Sequence, residues 1–380
     1  MKKIALIGST GSIGKQVLSV VSRNKDKFQI VSLSAGSSKD LFLEQVKEFK
    51  PQVASLAVEL NGEDRALLPK GTEYFFGDNA FTNCIIDSAD IVVIALVGFK
   101  GIIAVLDAIN KNKNIALANK ESLVAGGEII SKLIRDKGVQ LTPIDSEHSA
   151  VWQALSFDFS APFKKIILTA SGGAFRDLDK EALSKVTVEE ALKHPNWNMG
   201  AKITVDCATM VNKAYEVIEA KWLYNTSFDR IDVIIHRESI IHSMVEFFDN
   251  SVIAQLSYPN MEIPIALALS YPERIPSSSP SLEFSKLRSL TFEEVDHEKY
   301  PAFSLVTQAG REGGLYPAVA LGANDYAVEL FLKGKIKYCD IYQGIHGALS
   351  AYKGGKLTDY QSIENAYDFA KNYLKNKFGD

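Results

Sequence analysis

The chain is poor in the residues that staple small or secreted proteins. Three cysteines in 380 residues, Cys84, Cys207 and Cys339, lie far apart, with neither a pairing pattern nor zinc-site spacing. That usage fits a reducing cytosol. No sign of charge dominates: 42 basic and 46 acidic residues leave a net charge of −4. No basic field therefore advertises nucleic acid or an anionic membrane as a partner. Long uncharged apolar runs are missing too. The apolar stretch at Ile4–Ile7 is too short for a signal peptide. The most span-like segment, Ile91 to Ile109, is broken by Lys100 and Asp107 and punctuated by Gly98 and Gly101. It reads as a buried strand followed by a helix. His236 and His242 lack the tight spacing of a metal-binding pair. There is no internal repeat. What remains is a globular composition, 46% hydrophobic and 23% charged, in a chain long enough for two or three domains.

Strand-like and helical stretches alternate from the start. Lys3–Ile7 runs into Gly8-Ser9-Thr10-Gly11-Ser12-Ile13-Gly14, and Lys15–Val21 has helical spacing. Glycines at 8, 11 and 14 between a first strand and a first helix let backbone approach a pyrophosphate at the helix N-terminus. A second strand, 28–34, ends in Gly36-Ser37-Ser38-Lys39. Sites for NAD usually place a carboxylate here for the ribose 2′-OH; hydroxyls and a lysine favour a 2′-phosphate, hence NADPH. Ser38 also suits the N-cap of the helix that follows. Further βα units carry strands 53–58, 91–96 and 114–118, the last leading into Asn119-Lys120-Glu121-Ser122.

Leu141-Thr142-Pro143-Ile144-Asp145-Ser146-Glu147-His148-Ser149 reads as another strand end at the same carboxyl edge. In extended backbone Asp145 and Glu147 point one way and Ser146 the other. Two converging carboxylates need a cation or a proton between them, and hard oxygen ligands suit Mg²⁺ or Mn²⁺. Otherwise the stretch is a solvated acidic turn. A helix across 206–216 places Asn212, Lys213 and Glu216 within one turn among apolar neighbours. Glu216 is then a buried carboxylate, either paired with Lys213 or serving as a third metal ligand. Ser171-Gly172-Gly173, after strand 165–170, is an anion cradle or an ordinary turn. Thr187–Glu190 is a capping box. The turn-rich His194-Pro195-Asn196-Trp197-Asn198-Met199-Gly200 is a lid, or else its tryptophan packs on its own domain.

Six stretches taken together resemble the 1-deoxy-D-xylulose 5-phosphate reductoisomerase family. They are GSTGSIG at 8–14, ANKESLV at 118–124, PIDSEHSA at 143–150, ASGGAF at 170–175, HPNWNMG at 194–200 and ATMVNKAYEVIEA at 208–220. The resemblance implies an NADPH- and metal-dependent enzyme of the non-mevalonate isoprenoid pathway, forming 2-C-methyl-D-erythritol 4-phosphate. It implies cofactor contacts at Thr10, Gly11, Ser12, Ile13, Gly36, Ser37, Ser38, Asn119, Glu121 and Gly200. Asp145, Glu147 and Glu216 match the metal ligands and, with Lys120, the catalytic set. Lys120, Ser146 and Glu147 match the reacting end of the substrate, Ser171, His194, Asn212 and Lys213 contacts elsewhere on it, and Glu216 is a further substrate contact. Trp197 belongs to the flexible flap. Cys207 stands where familiar members have a phosphate-binding serine, and a thiol donates more weakly than a hydroxyl. Residues 37–38 lack the Lys and Asn seen after that glycine in some members.

The expected architecture is α/β: a Rossmann-like NADPH-binding domain (1–145), a central α/β catalytic domain (146–270), a linker (271–299) and a C-terminal helical domain (300–380). Strands over 231–256, apolar on both faces, are expected to pack partly against a second subunit. The implied protein is a cytoplasmic homodimer acting on a sugar phosphate, with no nucleic-acid or membrane partner. Rival readings are another NADPH-linked oxidoreductase, such as a semialdehyde or homoserine dehydrogenase relative, and a non-enzymatic NADPH sensor. The first should lack the three carboxylates, and the second has no use for metal ligands and a flap.

Overall fold

Seven parallel strands form the first sheet of the computed structural model, which describes residues 1–379. They are β1 (Lys2–Ile7), β2 (Phe28–Ala35), β3 (Val53–Leu56), β4 (Glu73–Phe76), β5 (Ile91–Ile94), β6 (Asn114–Leu117) and β7 (Leu141–Pro143). Their spatial order is β4-β3-β2-β1-β5-β6-β7, so strand order reverses between β1 and β5. Ligands of such sheets sit at the carboxyl ends beside that reversal. Helices α1 (Ser12–Arg23), α2 (Lys39–Phe49), α3 (Gly62–Ala66), α4 (Gly101–Asn110) and α5 (Lys120–Lys137) connect the strands.

The chain divides into two units. The first comprises 1–122, 130–146 and 261–279; the second comprises 123–129, 147–260 and 280–379. Helix α10 (Glu262–Ser270) thus belongs with the first sheet, although the sequence assigned those residues to the catalytic domain. Its Ile265, Ala266, Ala268 and Leu269 join Ile4, Leu6, Val17 and Ile30 in one core. Lys2 Nζ donates to the carbonyls of Leu269 (3.1 Å) and Tyr271 (2.8 Å), satisfying the end of α10.

The second unit holds a mixed sheet in the order β11-β10-β8-β9-β12. These strands are β8 (Lys165–Ala170), β9 (Ile231–Ile235), β10 (Ile241–Glu246), β11 (Val252–Leu256) and β12 (Glu293–Glu294). β12 lies within the expected linker and pairs antiparallel with β9. The helices are α6 (Ser146–Ala154), α7 (Val188–Ala191), α8 (Ala201–Ala208), α9 (Val211–Leu223) and, toward the C-terminus, α11 (Pro301–Glu312), α12 (Tyr316–Leu332), α13 (Tyr338–Ala351) and α14 (Tyr360–Phe378). The helices beyond residue 300 pack in the same unit as the mixed sheet.

Two local expectations change. Residues 145–147 are not extended: α6 begins at Ser146, so Glu147 occupies a first helical turn and Asp145 the residue before it. Helix α12 is buried around nearly its whole circumference, because other helices surround it. β11 is an edge strand whose Val252 and Ile253 are half exposed in the single chain, not buried on both faces. The capping box at Thr187 forms with both bonds in place.

Candidate active site

In the first unit the glycine turn is closed by backbone contact. Gly8 has φ +99°, and a Cβ there would lie 2.6 Å from the Ala95 carbonyl oxygen, just beyond β5. A Cβ on Gly14 would lie 2.1 Å from the Gly8 carbonyl oxygen. The first glycine seats the turn at the reversal of strand order, and the third brings α1 against the turn. Gly11 is the N-cap of α1, whose first turn has no acidic side chain. Helix-start N–H groups and the dipole therefore favour an anion beside Thr10, Ser12 and Ile13. Buried Ser9 donates to Gln45 Oε1 (2.6 Å), and Gln45 Nε2 donates back to the Ser9 carbonyl (3.1 Å), fixing the turn to α2.

Gly36, Ser37 and Ser38 are exposed after β2. Ser38 holds the N-cap position of α2, yet its hydroxyl makes no capping bond, so helix capping does not occupy it. Lys39 reaches Asp64 at 2.9 Å, and that bond raises its pKa. Asn119 Nδ2 donates to the carbonyls of Leu96 (3.0 Å) and Gly98 (2.9 Å), and its Oδ1 accepts from Ser122 N–H (3.1 Å) at the start of α5. Glu121 accepts from Gly98 N–H (3.1 Å). Asn119 and Glu121 thus lock the loop after β5 to α5. Lys120 Nζ lies 2.6 Å from Asp145 Oδ2.

The second unit gathers charge in its interior. Lys213, 4% exposed, places Nζ 2.7 Å from Glu147 and in tighter contact with Glu216, itself 1% exposed. Burial alone would lower the lysine's pKa, but Glu147 and Glu216 outweigh it and raise it. Asn212 Nδ2 donates to Glu216 Oε1 at 2.6 Å. Oxygens of Glu147 and Glu216 lie within 4.8 Å of one another. One residue, Ser146, separates Glu147 from Asp145 along the chain. The sequence reading passed over a second buried pair one turn along α9, Glu219 and His148, whose Nε2 and Oε2 are 3.0 Å apart. A helical register of Glu216, Glu219 and His148 beside Glu147 was its only signal.

After β8, Ser171 leads into Gly172 (φ +81°) and Gly173 (φ +71°). A Cβ on Gly173 would lie 2.4 Å from the Cys207 carbonyl oxygen, so this turn meets the end of α8 backbone to backbone. Ser171 Oγ accepts from Gly173 N–H (3.1 Å) and pairs with His194 Nε2 (2.9 Å). His194 Nδ1 accepts the N–H groups of Asn196 (3.2 Å) and Trp197 (3.0 Å). The ring proton must then sit on Nε2 and point at Ser171 Oγ. Burial, helped by Arg176, pushes the His194 pKa down to about 4. Asn196, also missed in the sequence, donates to the Arg237 carbonyl (2.6 Å) and Ser239 Oγ (2.7 Å). The Trp197 ring lies edge-on to His242 with centroids 6.0 Å apart. Gly200 is the exposed N-cap of α8.

Models of 1-deoxy-D-xylulose 5-phosphate reductoisomerase match residues 4–127, and models of its C-terminal domains match 141–224 and 256–373. A curated 1-deoxy-D-xylulose 5-phosphate reductoisomerase from Gloeobacter violaceus is 44% identical over 99% of this chain and 97% of its own length. The chain belongs to the 1-deoxy-D-xylulose 5-phosphate reductoisomerase family. Solved reductoisomerases agree in fold. One from Zymomonas mobilis, in complex with NADPH, superposes with TM-score 0.93 at 34% identity, covering 99% of each chain. Another, in complex with NADPH, fosmidomycin and magnesium, gives 0.94 at 34% identity over the whole of both chains. Family membership agrees with the α/β architecture and with NADPH as the cofactor.

Proposed function

We propose that this reductoisomerase converts 1-deoxy-D-xylulose 5-phosphate to 2-C-methyl-D-erythritol 4-phosphate, using NADPH and Mg²⁺ or Mn²⁺. The observation that carries the reading is the Glu147–Lys213–Glu216 cluster, whose Glu147 follows the Lys120-paired Asp145 by two residues. Its ligand atoms are hard carboxylate oxygens lying within 4.8 Å of one another, so a divalent cation fits the set. The turn closed by Gly8 and Gly14 likewise fits a dinucleotide, since no side chain stands between backbone and pyrophosphate.

Asp145, Glu147 and Glu216 hold the cation in this reading. When bound, it supplies Lewis acidity to the substrate's ketone and neighbouring hydroxyl oxygens, while NADPH supplies the hydride. Lys120 and Ser146 orient the reacting end. Ser171 Oγ already accepts twice, so its own proton is directed outward and can donate to the substrate's phosphate. Asn212 and Lys213 reach Glu216 and Glu147 here; contact with that phosphate requires new rotamers. Cys207 stands beside the Ser171 turn as a weaker donor than serine. Trp197 and its loop close over the reacting atoms and exclude water. Thr10, Gly11, Ser12 and Ile13 receive the pyrophosphate, Gly36, Ser37 and Ser38 the adenosine end, and Asn119, Glu121 and Gly200 complete the cofactor contacts.

The half-exposed edge strand β11, with Val252, Ile253 and nearby exposed Phe248, supports a homodimer. The scattered cysteines support a cytoplasmic setting. Among the described residues no helix is long and apolar enough to cross a membrane. The test is NADPH oxidation with 1-deoxy-D-xylulose 5-phosphate. We expect turnover that requires Mg²⁺ or Mn²⁺ and stops on chelation; no turnover, or turnover indifferent to metal, overturns the reading.

A further inference from the structure

An anion site made of backbone must show N–H groups and hide carbonyl oxygens, because a carbonyl oxygen repels a phosphate as strongly as an N–H attracts it. The Ser171–Gly173 turn and the end of α8 meet at Gly173 and Cys207, so carbonyls of both border the turn whose Ser171 is read as a phosphate contact. Two of those carbonyls are bonded from behind by tyrosines far away in sequence. Tyr300, just before α11, donates its hydroxyl to the Gly172 carbonyl at 3.0 Å. Tyr338, the first residue of α13, donates to the Ala208 carbonyl at 2.7 Å.

We infer that Tyr300 and Tyr338 are positioning residues of the phosphate site, holding these two carbonyls turned away from the anion. The inference rests on the reading of Ser171 as a phosphate contact. In a trans peptide the carbonyl and the following N–H point in opposite directions. Fixing the Gly172 carbonyl with Tyr300 therefore aims the Gly173 N–H, which reaches Ser171 Oγ at 3.1 Å. Tyr338 acts on a different kind of carbonyl. Ala208 ends α8, and its oxygen belongs to the negative end of that helix, which a donor from behind quiets.

Both phenols suit a permanent donor. Burial raises the Tyr300 pKa to about 12 and takes that of Tyr338 well above its ordinary value, so each keeps its proton at any working pH. The Tyr338 ring is fixed by edge-on contacts with Phe175, at 5.1 Å, and Phe331, at 6.1 Å. Phe175 closes the same turn. A further tie from α12, Asn324 Nδ2 to Asp206 Oδ1 at 2.7 Å, holds α8 one residue before Cys207. The C-terminal helices thus set the aim of the phosphate cradle without contributing a side chain to it.

The test compares Tyr300→Phe, Tyr338→Phe and the double variant with Tyr360→Phe, which loses a tyrosine bond to Glu364 elsewhere in the same helices. Each of the first two should raise KM for 1-deoxy-D-xylulose 5-phosphate, and the Kd of inorganic phosphate measured by calorimetry, about three- to tenfold. The double variant should lose more. kcat and the KM for NADPH should stay within about twofold, and Tyr360→Phe should leave the sugar-phosphate KM and the phosphate Kd unchanged, as expected for a bond that touches neither carbonyl of the cradle. Unchanged KM and phosphate affinity with a lowered Tm would reduce the tyrosines to structural ties and overturn the inference. So would equal losses for NADPH. If the parent protein turns over no sugar phosphate, the reading of function fails, and phosphate calorimetry alone then decides the role of the tyrosines.

Discussion

Two glycine-bearing turns follow strands in this molecule, and they are held by opposite means. The Gly8–Gly14 turn is self-contained: Gly8 meets Ala95, Gly14 meets Gly8, and Ser9 exchanges two bonds with Gln45. The Ser171–Gly173 turn depends instead on polar side chains from several segments of the second unit, among them His194, Arg176 with the Arg237 carbonyl, and Tyr300. The parallel sheet explains the difference. At a reversal of strand order the neighbouring strand end is already in place, whereas a turn on a mixed sheet must recruit support. Both turns are therefore sensitive to an added atom, at Gly14 and at Gly173, and the second also to the loss of single polar groups from other segments.

The largest effect should come from charge in the second unit. Glu216→Gln leaves Lys213 with one carboxylate and the cation site with one ligand fewer, so kcat should fall at least about 10²–10³-fold. NADPH affinity, measured by fluorescence titration, should hold. A parallel loss of cofactor binding would break the separation of the two turns. Next in size is Gly14→Ala. Its Cβ would sit 2.1 Å from the Gly8 oxygen, so the turn must open, at a cost of about 1–3 kcal/mol in chemical denaturation. NADPH Kd should rise about tenfold or more, since pyrophosphate contact depends on close backbone approach. Phosphate affinity at the second turn should be unchanged, and a matching loss there would show that the first turn is not self-contained.

The smallest effect is a pH dependence confined to the second turn. His194 is held neutral, with its pKa near 4 against an ordinary 6.5. Below pH 6.5 the unfolded chain takes up a proton at this position that the folded chain refuses until about pH 4. Its stabilising contribution is thus complete above 6.5 and lost as pH falls toward 4. Subtracting the Tm profile of His194→Gln from that of the parent should isolate this loss. Identical slopes for the two proteins would mean that the ring does not bind the loop as a neutral acceptor.

Much of the first turn was legible in the sequence because its motif is local: glycines at fixed spacing between a strand and a helix. Glu216 was legible as a buried carboxylate because the apolar residues around it repeat with helical spacing. The convergence of Asp145 and Glu147 was read from strand alternation, whereas a helix beginning at Ser146 puts Glu147 in its first turn. Periodicity cannot separate those cases over three residues. Tyr300 and Tyr338 left no trace at all, since a bond spanning 128 or 130 positions has no spacing to recognise. Helix α10 was misassigned for a related reason: a short helix that is apolar between Glu262 and Ser270 looks alike in any core.

That helix has a bearing on how the protein comes into being. Ile265, Ala266, Ala268 and Leu269 belong to a core whose other members lie before residue 145, and more than a hundred residues of the second unit are threaded between. A nascent chain that has emerged as far as β7 has every strand of the first sheet yet leaves one side of its hydrophobic interior bare. That surface stays open to water, or to a chaperone, until the ribosome has delivered residue 270. Order of synthesis and order of completion therefore differ: the half that binds cofactor begins first and cannot be sealed until most of the chain has been made.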